Sequence, residues 1–257
     1  MKIEKRFLGY KKIVIFLPEW EPGINIEVLK KDYISVSLVT YSRQDIRKMD
    51  GFTEKSRTTA LIDLKKQKFE DIFSAFNYET RSKIRKALNN IELKFISVDP
   101  NFEKNYGLYK IFESKQGRLP SPKQELSDCL FFSCYKNEEI ISQVICQNID
   151  SVVLRVRNIC SKRLDVIDKK LYQEISIASK MVMQEAMKYA FEKKYKYFDI
   201  NGVNLVDKNK QGITKFKQGF GGDLVDEFWY NHRKGWYLKL GKLLKIKAKI
   251  INSIKKF

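Results

Sequence analysis

The chain has 257 residues, with 50 lysines and arginines against 31 aspartates and glutamates, which gives a formal charge of +19. Its hydrophobic share of 43% can bury a core, which excludes a wholly disordered or low-complexity protein. No apolar run reaches the roughly 18 residues of a membrane-spanning helix, and no signal-peptide segment follows the first residues. We therefore expect a cytoplasmic protein with anionic partners.

The hydrophobic periodicity of the first half predicts strands followed by helices. Short β-branched or alternating runs predict the strands, and apolar residues recurring every three or four positions predict the helices. The predicted strands cover 11–17, 34–41, 58–64 and 91–98, and the predicted helices cover 69–76, 78–90 and 101–113.

The second half predicts three strands, a long helix and one more strand. Apolar runs at 129–135, 139–148 and 151–160 indicate an antiparallel meander. The helix covers 171–193, and a strand over 195–200 follows directly. The whole pattern predicts an α+β fold with a mixed, mainly antiparallel central sheet flanked by helices.

The cysteines and the histidine argue against metal or nucleophile chemistry. Cys129, Cys134, Cys146 and Cys160 have no C-x-x-C spacing, and His232 is the sole histidine. A zinc site or a catalytic triad therefore has little support, and we expect buried free thiols at Cys134 and Cys146.

Residues 196–222 carry the most information about function. The predicted strand ends in the segment from Asp199 to Gly202, which includes Asn201. In open α/β sheets, ligands bind beyond the carboxyl ends of the strands. The segment GITKFKQGFGG at 212–222 then predicts a glycine-rich turn that carries lysines. It fits neither a P-loop nor a G-x-G-x-x-G turn, and the alternative is a basic surface turn with a capping glycine.

Three segments in order resemble the FemABX family within the wider GNAT acyltransferase superfamily. TALIDL at 59–64, followed by TRSKIRKA at 80–87, is similar to that family's strand and its R-x-x-I-R-K-A helix. YFDING at 197–202 is similar to Y-x-D-F-G-G, and the segment at 212–222 to G-I-Y-x-F-K-x-G-F-G-G. The resemblance spans about residues 58–230.

The resemblance implies transfer of an acyl or aminoacyl group to an amine, with no tightly bound cofactor. The donor would be acyl-CoA or aminoacyl-tRNA. The acceptor would be a cell-envelope precursor, either a peptidoglycan peptide or the amino sugar of a surface polysaccharide. The sequence departs from the family pattern at Asn201, where glycine is more frequent. It also lacks, at 161–170, the glycine turn that holds the pyrophosphate of coenzyme A in GNAT enzymes.

The same comparison suggests the domain organisation. Residues 58–232 would form the acyltransferase domain, and residues 1–57 an incomplete companion GNAT-like subdomain or an extension of the sheet. Residues 233–257 would be a separate tail.

Acyl transfer to an amine needs a group that holds or deprotonates the amine and a donor for the oxyanion. Asp199 is our candidate for the first role, the alternative being a loop-fixing aspartate. Lys217 is our candidate for stabilising the oxyanion or a donor phosphate. We predict that Asp199→Asn and Lys217→Ala abolish transfer and leave the fold intact.

Ten further residues are predicted to bind substrate. Arg81, Arg85 and Lys86 would form a basic helical surface for a phosphate, with a solvated helix face as the alternative. The other predicted substrate-binding residues are Arg155, Asn201, Gly202, Lys215, Phe216, Gly219 and Phe220.

The tail concentrates the positive charge, since residues 233–257 hold nine basic residues and no acid. Over 235–257 a helix would place apolar residues on one side and lysines on the other, although Ile246 to Ile250 also alternate as in a strand. A basic amphipathic helix would bind the anionic inner face of the membrane peripherally, or pack on the core.

A second hypothesis assigns no catalysis to the chain. It would be an RNA-binding or membrane-binding protein on a degenerate acyltransferase scaffold, which uses the charge alone.

Overall fold

The computed structural model describes residues 2–7, 10–18, 24–45, 49–207 and 211–236. The chain forms two compact units. The described parts of residues 1–57 and 226–236 belong to the first unit, and those of 58–225 belong to the second. The second unit begins at the same residue as the predicted acyltransferase domain and ends inside the last strand.

The described strands are β1 (Lys2–Phe7), β2 (Tyr10–Leu17), β3 (Ser35–Thr40), β4 (Thr53–Asp63), β5 (Lys94–Ile96), β6 (Cys129–Lys136), β7 (Glu139–Ile149), β8 (Val153–Ser161), β9 (Tyr197–Gly202) and β10 (Asp223–Arg233). The described α-helices are α1 (Ile26–Asp32), α2 (Phe69–Ser74), α3 (Tyr78–Leu88), α4 (Phe102–Lys115), α5 (Lys169–Glu192) and α6 (Gln211–Gln218).

The second unit is built on strands in the order β4-β9-β8-β7-β6-β5. Only β8 and β9 in this run pair in parallel; the other neighbouring strands are antiparallel. A 24-residue helix, α5, connects β8 to β9, as a parallel pair requires. The β6-β7-β8 meander is confirmed.

Helices cover both faces of this sheet. On one face α3 and α5 pack their apolar stripes, including Ile84, Ile175 and Val182, against Phe132 and Phe198. On the other face α4 packs Leu108 and Tyr109 against Phe131 and Ile145. Because neighbouring residues Phe131 and Phe132 bury against opposite layers, the strand alternates its side chains between two cores.

The strands of the first unit follow the order β1-β2-β3-β10. Strands β2 and β3 are parallel, and the other two pairs are antiparallel. One face buries Ile13, Val36, Leu38 and Tyr230 in a core of its own.

The predicted α+β class with a mixed, mainly antiparallel sheet and flanking helices is confirmed. The sequence patterns missed β1, α1, α6 and β10. Residues 212–218, predicted as part of a turn, lie in α6. Helix α1 has only seven residues, and its Ile26 and Leu29 are only partly buried against the core of the first unit, so its apolar pattern is short. The predicted helix at 235–257 lies outside the described residues beyond 236, and none of the described helices is long and apolar enough to cross a membrane.

The four cysteines are buried free thiols, as expected for Cys134 and Cys146. Burial raises the pKa of Cys134 and Cys160 to about 12, so these thiols stay protonated and unreactive at neutral pH.

The turn after α6 requires glycine at Gly222. Its φ is +89°, and a Cβ there would lie 2.8 Å from Cγ1 of Ile62 and 3.0 Å from the carbonyl oxygen of Leu61. That oxygen belongs to the backbone of β4 and cannot yield without disturbing the sheet. We expect Gly222→Ala to lower the free energy of unfolding by about 2–4 kcal/mol, from overpacking and the left-handed φ together.

Urea denaturation measures this loss. Gly212→Ala is the matched control, because a Cβ at Gly212 meets nothing within 4 Å. The control should leave stability unchanged or slightly raised. Equal urea midpoints for the two variants would contradict the steric argument.

Candidate active site

The parallel pairing of strands β8 and β9 ends at Arg155 and Asp199. Their parallel pairing runs from Val153 and Tyr197 to Arg155 and Asp199, while β8 continues to Ser161. On its other side β9 pairs with β4, with an irregularity in register between Thr59 and Leu61. Bulges of this kind re-aim side chains near functional sites. Asp199 therefore lies where the parallel pair opens, which is the part of a sheet where ligands bind.

Asp199 receives one polar group from each neighbouring strand. Thr59 on β4 donates its hydroxyl to Oδ1 of Asp199. A guanidinium nitrogen of Arg155 on β8 lies 3.2 Å from Oδ2. The backbone N–H of Asn201 also donates to Oδ1, at 2.7 Å. The carboxylate is fully buried, so this ion pair and these hydrogen bonds replace its hydration.

Asn201 turns the end of β9 with a left-handed backbone. Its φ is +69°, a conformation that glycine and asparagine adopt most readily. Its amide oxygen accepts from Arg155 at 3.1 Å and from the N–H of Gly202 at 2.6 Å, and its amide nitrogen donates to the carbonyl of Val156 at 2.9 Å. The same φ explains the departure from the family pattern, since asparagine can replace glycine here.

Lys217 reaches this turn from α6. Its ammonium donates to the carbonyl oxygens of Asn201, at 3.2 Å, and Gly202, at 2.8 Å. The residue is 9% exposed. The structure thus brings Lys217 to the residues that surround Asp199, although the two were predicted from segments separated along the chain.

Lys180 on α5 is a buried cation that the sequence reasoning missed. Its Nζ donates to the hydroxyl of Thr80 at 2.9 Å and to the carbonyl of Phe216 at 3.3 Å. It lies 4.6 Å from the ring centroid of Phe216 and 4.9 Å from that of Phe220. Because this environment withholds water, burial lowers the pKa of Lys180 to about 8, with the nearby charge of Lys83 acting in the same direction.

This low pKa predicts a pH-dependent stability. In the folded chain Lys180 loses its proton near pH 8, whereas in the unfolded chain it does so near 10.5. Burying the charged form is unfavourable, so the destabilisation is full below pH 8 and disappears as the pH rises towards 10.5. The difference corresponds to roughly 3 kcal/mol at about 1.4 kcal/mol per pH unit.

We expect Lys180→Met to be more stable than wild type near pH 7, by about 1–3 kcal/mol, and to lack the rise above pH 8. Denaturant titrations at pH 7, 8, 9 and 10 measure the free energy of unfolding of both proteins. Lys188→Met, an exposed position on the same helix, is the control. A difference between Lys180→Met and wild type that stays constant with pH would show that the lysine is not the titrating group.

The other predicted site residues fall into two groups. Arg155, Asn201 and Gly202 meet at the end of β9, and Phe216, Gly219 and Phe220 surround Lys180. A Cβ at Gly219 would lie 2.5 Å from Oγ1 of Thr80 and 2.9 Å from Nζ of Lys180, so a side chain there would displace one or both of these groups.

The remaining predicted cations lie elsewhere. Lys215 is exposed on α6, and Arg85 and Lys86 are exposed on α3. Arg81 on α3 is half-buried and donates to the carbonyl of Ser74. None of the contacts described for these four residues joins them to Asp199 or Lys217. The binding of a phosphate by Arg81, Arg85 and Lys86, and of substrate by Lys215, stays a prediction.

Asp199 and Lys217 are both buried, so the predicted hollow between them is not seen among the described residues. Two cavities of about 660 and 220 Å³ are lined by other residues. The roles of Asp199 and Lys217 in the chemistry stay predictions.

The start of α5 is occupied by the protein's own carboxylate. The side chain of Asp168 accepts from the N–H of Leu171 at 2.7 Å and caps the helix. Two nearby lysines are matched by acids: Lys162 pairs with Glu139, and Lys136 pairs with both Glu92 and Glu174. The first turn of this helix also carries the exposed Lys169 and Lys170, so the charge at the helix start is mixed, and Asp168 already caps the N–H groups that a pyrophosphate would use.

Comparison with solved structures identifies the fold as the Fem type. FemX matches with a TM-score of 0.62 and 15% identity, covering 92% of this chain and 85% of FemX. L-PGS from Bacillus licheniformis matches with a TM-score of 0.55 and 12% identity, over 91% and 81% of the two chains.

The C-terminal domain of an Agrobacterium fabrum protein assigned as a lysylphosphatidylglycerol synthetase gives a TM-score of 0.59 at 9% identity, over 94% and 83%. No family model matches the sequence, and no curated protein matches it. The fold predicted from the resemblance to the FemABX family is confirmed.

Proposed function

We propose that this chain is an acyltransferase that moves an acyl or aminoacyl group to an amine. The observation that carries the proposal is the end of β9, where a parallel strand pair opens beside a lysine held by two carbonyls. The Fem-type fold supports the same reading, since FemX and L-PGS share it at low identity.

In the proposed reaction the amine nitrogen attacks the acyl carbonyl, and the new N–C bond forms as the C–O or C–S bond of the donor breaks. The amine loses a proton, and the departing oxygen or sulfur of the donor gains one. Negative charge develops on the carbonyl oxygen in between. The ammonium of Lys217, fixed by the carbonyls of Asn201 and Gly202, is a preorganised positive charge for that oxygen.

Asp199 is better suited to position other groups than to take the proton. Its Oδ1 already accepts from Thr59 and from the N–H of Asn201, and its Oδ2 lies beside Arg155. These contacts fix the left-handed turn whose carbonyls bind Lys217. We propose that Asp199 is a positioning residue for Lys217, which revises its predicted role as the group that deprotonates the amine.

An aminoacyl-tRNA donor is proposed over acyl-CoA because residues 161–170 contain no glycine turn for a pyrophosphate and the carboxylate of Asp168 caps α5. Lys169 and Lys170, exposed at the start of α5, could meet a phosphate of either donor. An ester on tRNA requires no pyrophosphate pocket at this place, and the charge of +19 favours a polyanionic partner.

The acceptor we propose is an amine of a cell-envelope precursor, either an amino sugar or a peptidoglycan peptide. The proposal rests on the resemblance to the FemABX family and on the basic character of residues 233–257. Work at the inner face of the membrane belongs to the same proposal.

Mass spectrometry of envelope polysaccharide and peptidoglycan tests the function in cells. Cells with and without the protein should differ by the mass of one acyl or aminoacyl group on the acceptor. Complementation with wild type should restore that mass, and complementation with Lys217→Met should not. Identical masses with and without the protein would refute the envelope acceptor.

The second candidate function is binding without catalysis. The enclosure of Asp199 and Lys217 favours it, because both are buried in this conformation. A non-catalytic protein would bind RNA with a steep salt dependence and transfer nothing from charged tRNA or acetyl-CoA.

A further inference from the structure

The larger cavity lies in the first unit. It has a volume of about 660 Å³, within the range of small-molecule sites. Its floor is the polar face of the sheet, with Ser37 on β3, Thr53 at the start of β4, and Asn231 on β10. Ser37 donates to the amide oxygen of Asn231 at 2.8 Å, and Thr53 donates to its carbonyl at 3.2 Å.

Three cations line this cavity, and no acidic residue is among the lining residues. Arg57 pairs with the buried Glu227 and stacks over Trp229, its guanidinium carbon 5.0 Å from the ring centroid. No ion pair joins Lys55 or Arg233 to a carboxylate in the described part of the chain. Among the described residues, two positive charges therefore line this cavity with no acid paired to either.

The smaller cavity, in the second unit, has a different balance of charges on its wall. Its volume is about 220 Å³, and its wall carries three acids beside three lysines, with Lys136 and Lys162 paired to glutamates. Placing like charges around one space disfavours the folded state, unless an anion occupies that space. The charge pattern of the larger cavity thus matches a dianionic ligand.

We propose that the cavity of the first unit binds a phosphate or diphosphate group through Lys55 and Arg233. Lysine and arginine are the usual phosphate-binding side chains, and an arginine can donate two parallel hydrogen bonds. Trp229, stacked with Arg57, forms a flat wall for the remainder of the ligand. The group belongs to a soluble phosphate ester or to a lipid headgroup. This site is independent of the proposed transfer reaction.

Calorimetry with inorganic pyrophosphate on the full chain tests the proposal. Wild type should bind it, and Lys55→Ser/Arg233→Ser should bind at least tenfold more weakly, because both cations that form charge-assisted hydrogen bonds to the phosphate are removed. Lys66→Ser/Lys94→Ser is the matched control, because it removes the same charge from exposed positions in the second unit. The control should bind as wild type does.

A second arm uses vesicles of phosphatidylcholine containing phosphatidic acid, to distinguish a lipid headgroup from a free phosphate. Selective loss of vesicle binding in Lys55→Ser/Arg233→Ser, with little binding of pyrophosphate, would assign the lipid source. If both double variants bound pyrophosphate or vesicles equally weakly, the proposal would be overturned. That result would mean that the anion is attracted by the overall positive charge of the chain and not by this cavity. No binding in either arm would overturn it as well.

Discussion

Lys217→Met is expected to lower the rate of transfer by about 10²–10³-fold, the cost of removing one preorganised oxyanion donor. The methionine keeps the length and apolar stem of the side chain but leaves the carbonyls of Asn201 and Gly202 without the ammonium. Some loss of stability follows, of about 1–3 kcal/mol, so rates are compared well below the unfolding temperature. Single-turnover transfer from charged tRNA measures the effect.

Lys215→Met is the matched control for this prediction. Lys215 lies on the same helix, is exposed, and carries the same charge. If tRNA attraction alone accounted for the effect of Lys217, both variants would lose rate by a similar factor, and the loss would shrink at high salt. The proposed role predicts that, at saturating donor, Lys217→Met still loses rate, whereas any loss in Lys215→Met, a predicted substrate-binding residue, disappears.

Asp199→Asn is expected to destabilise the fold by about 3–5 kcal/mol, because it leaves the buried guanidinium of Arg155 beside a neutral amide. The sequence alone predicted an intact fold for this variant. The structure revises that expectation, since Asp199 is fully buried and Arg155 is 5% exposed. Asp223→Asn, at an exposed position, should change the free energy of unfolding by less than about 0.5 kcal/mol.

A double-mutant cycle on Asp199 and Arg155 separates the loss of their ion pair from a general loss of packing. Asp199→Asn/Arg155→Met should be more stable than Asp199→Asn alone, since it removes the buried positive charge with its partner. Additive losses, with the double variant the least stable of the set, would show that the ion pair is not the dominant interaction.

The sequence was most informative where one element could bury an apolar face by itself. Helix α5 repeats apolar residues such as Ile175, Ala178 and Val182 along one side, and that periodicity locates the helix. Strands β6 to β8 are apolar and β-branched, so their pattern was also sufficient. Asp199 was predicted from the end of a strand and Lys217 from the glycine-bearing segment after it, and the resemblance to the FemABX family pointed to the same segments.

Elements that depend on distant partners could not be predicted in this way. Strand β10 carries Asp226 and Glu227, which contradict a half-buried strand until Arg57, 170 positions away, pairs with Glu227. Lys180 reads as a surface lysine, and only the folded chain brings Thr80 and Phe216 around it. Contacts between residues far apart in the sequence cannot be predicted from local sequence patterns.

The most direct test of the account is the transfer of a labelled aminoacyl group from charged tRNA to an amine by the purified chain. Total charged tRNA would be incubated with envelope precursors, with and without ribonuclease, beside a parallel reaction supplied with labelled acetyl-CoA. The account predicts label on an amine acceptor, abolished by ribonuclease and absent with Lys217→Met. Tight RNA binding with no transfer from either donor would contradict it.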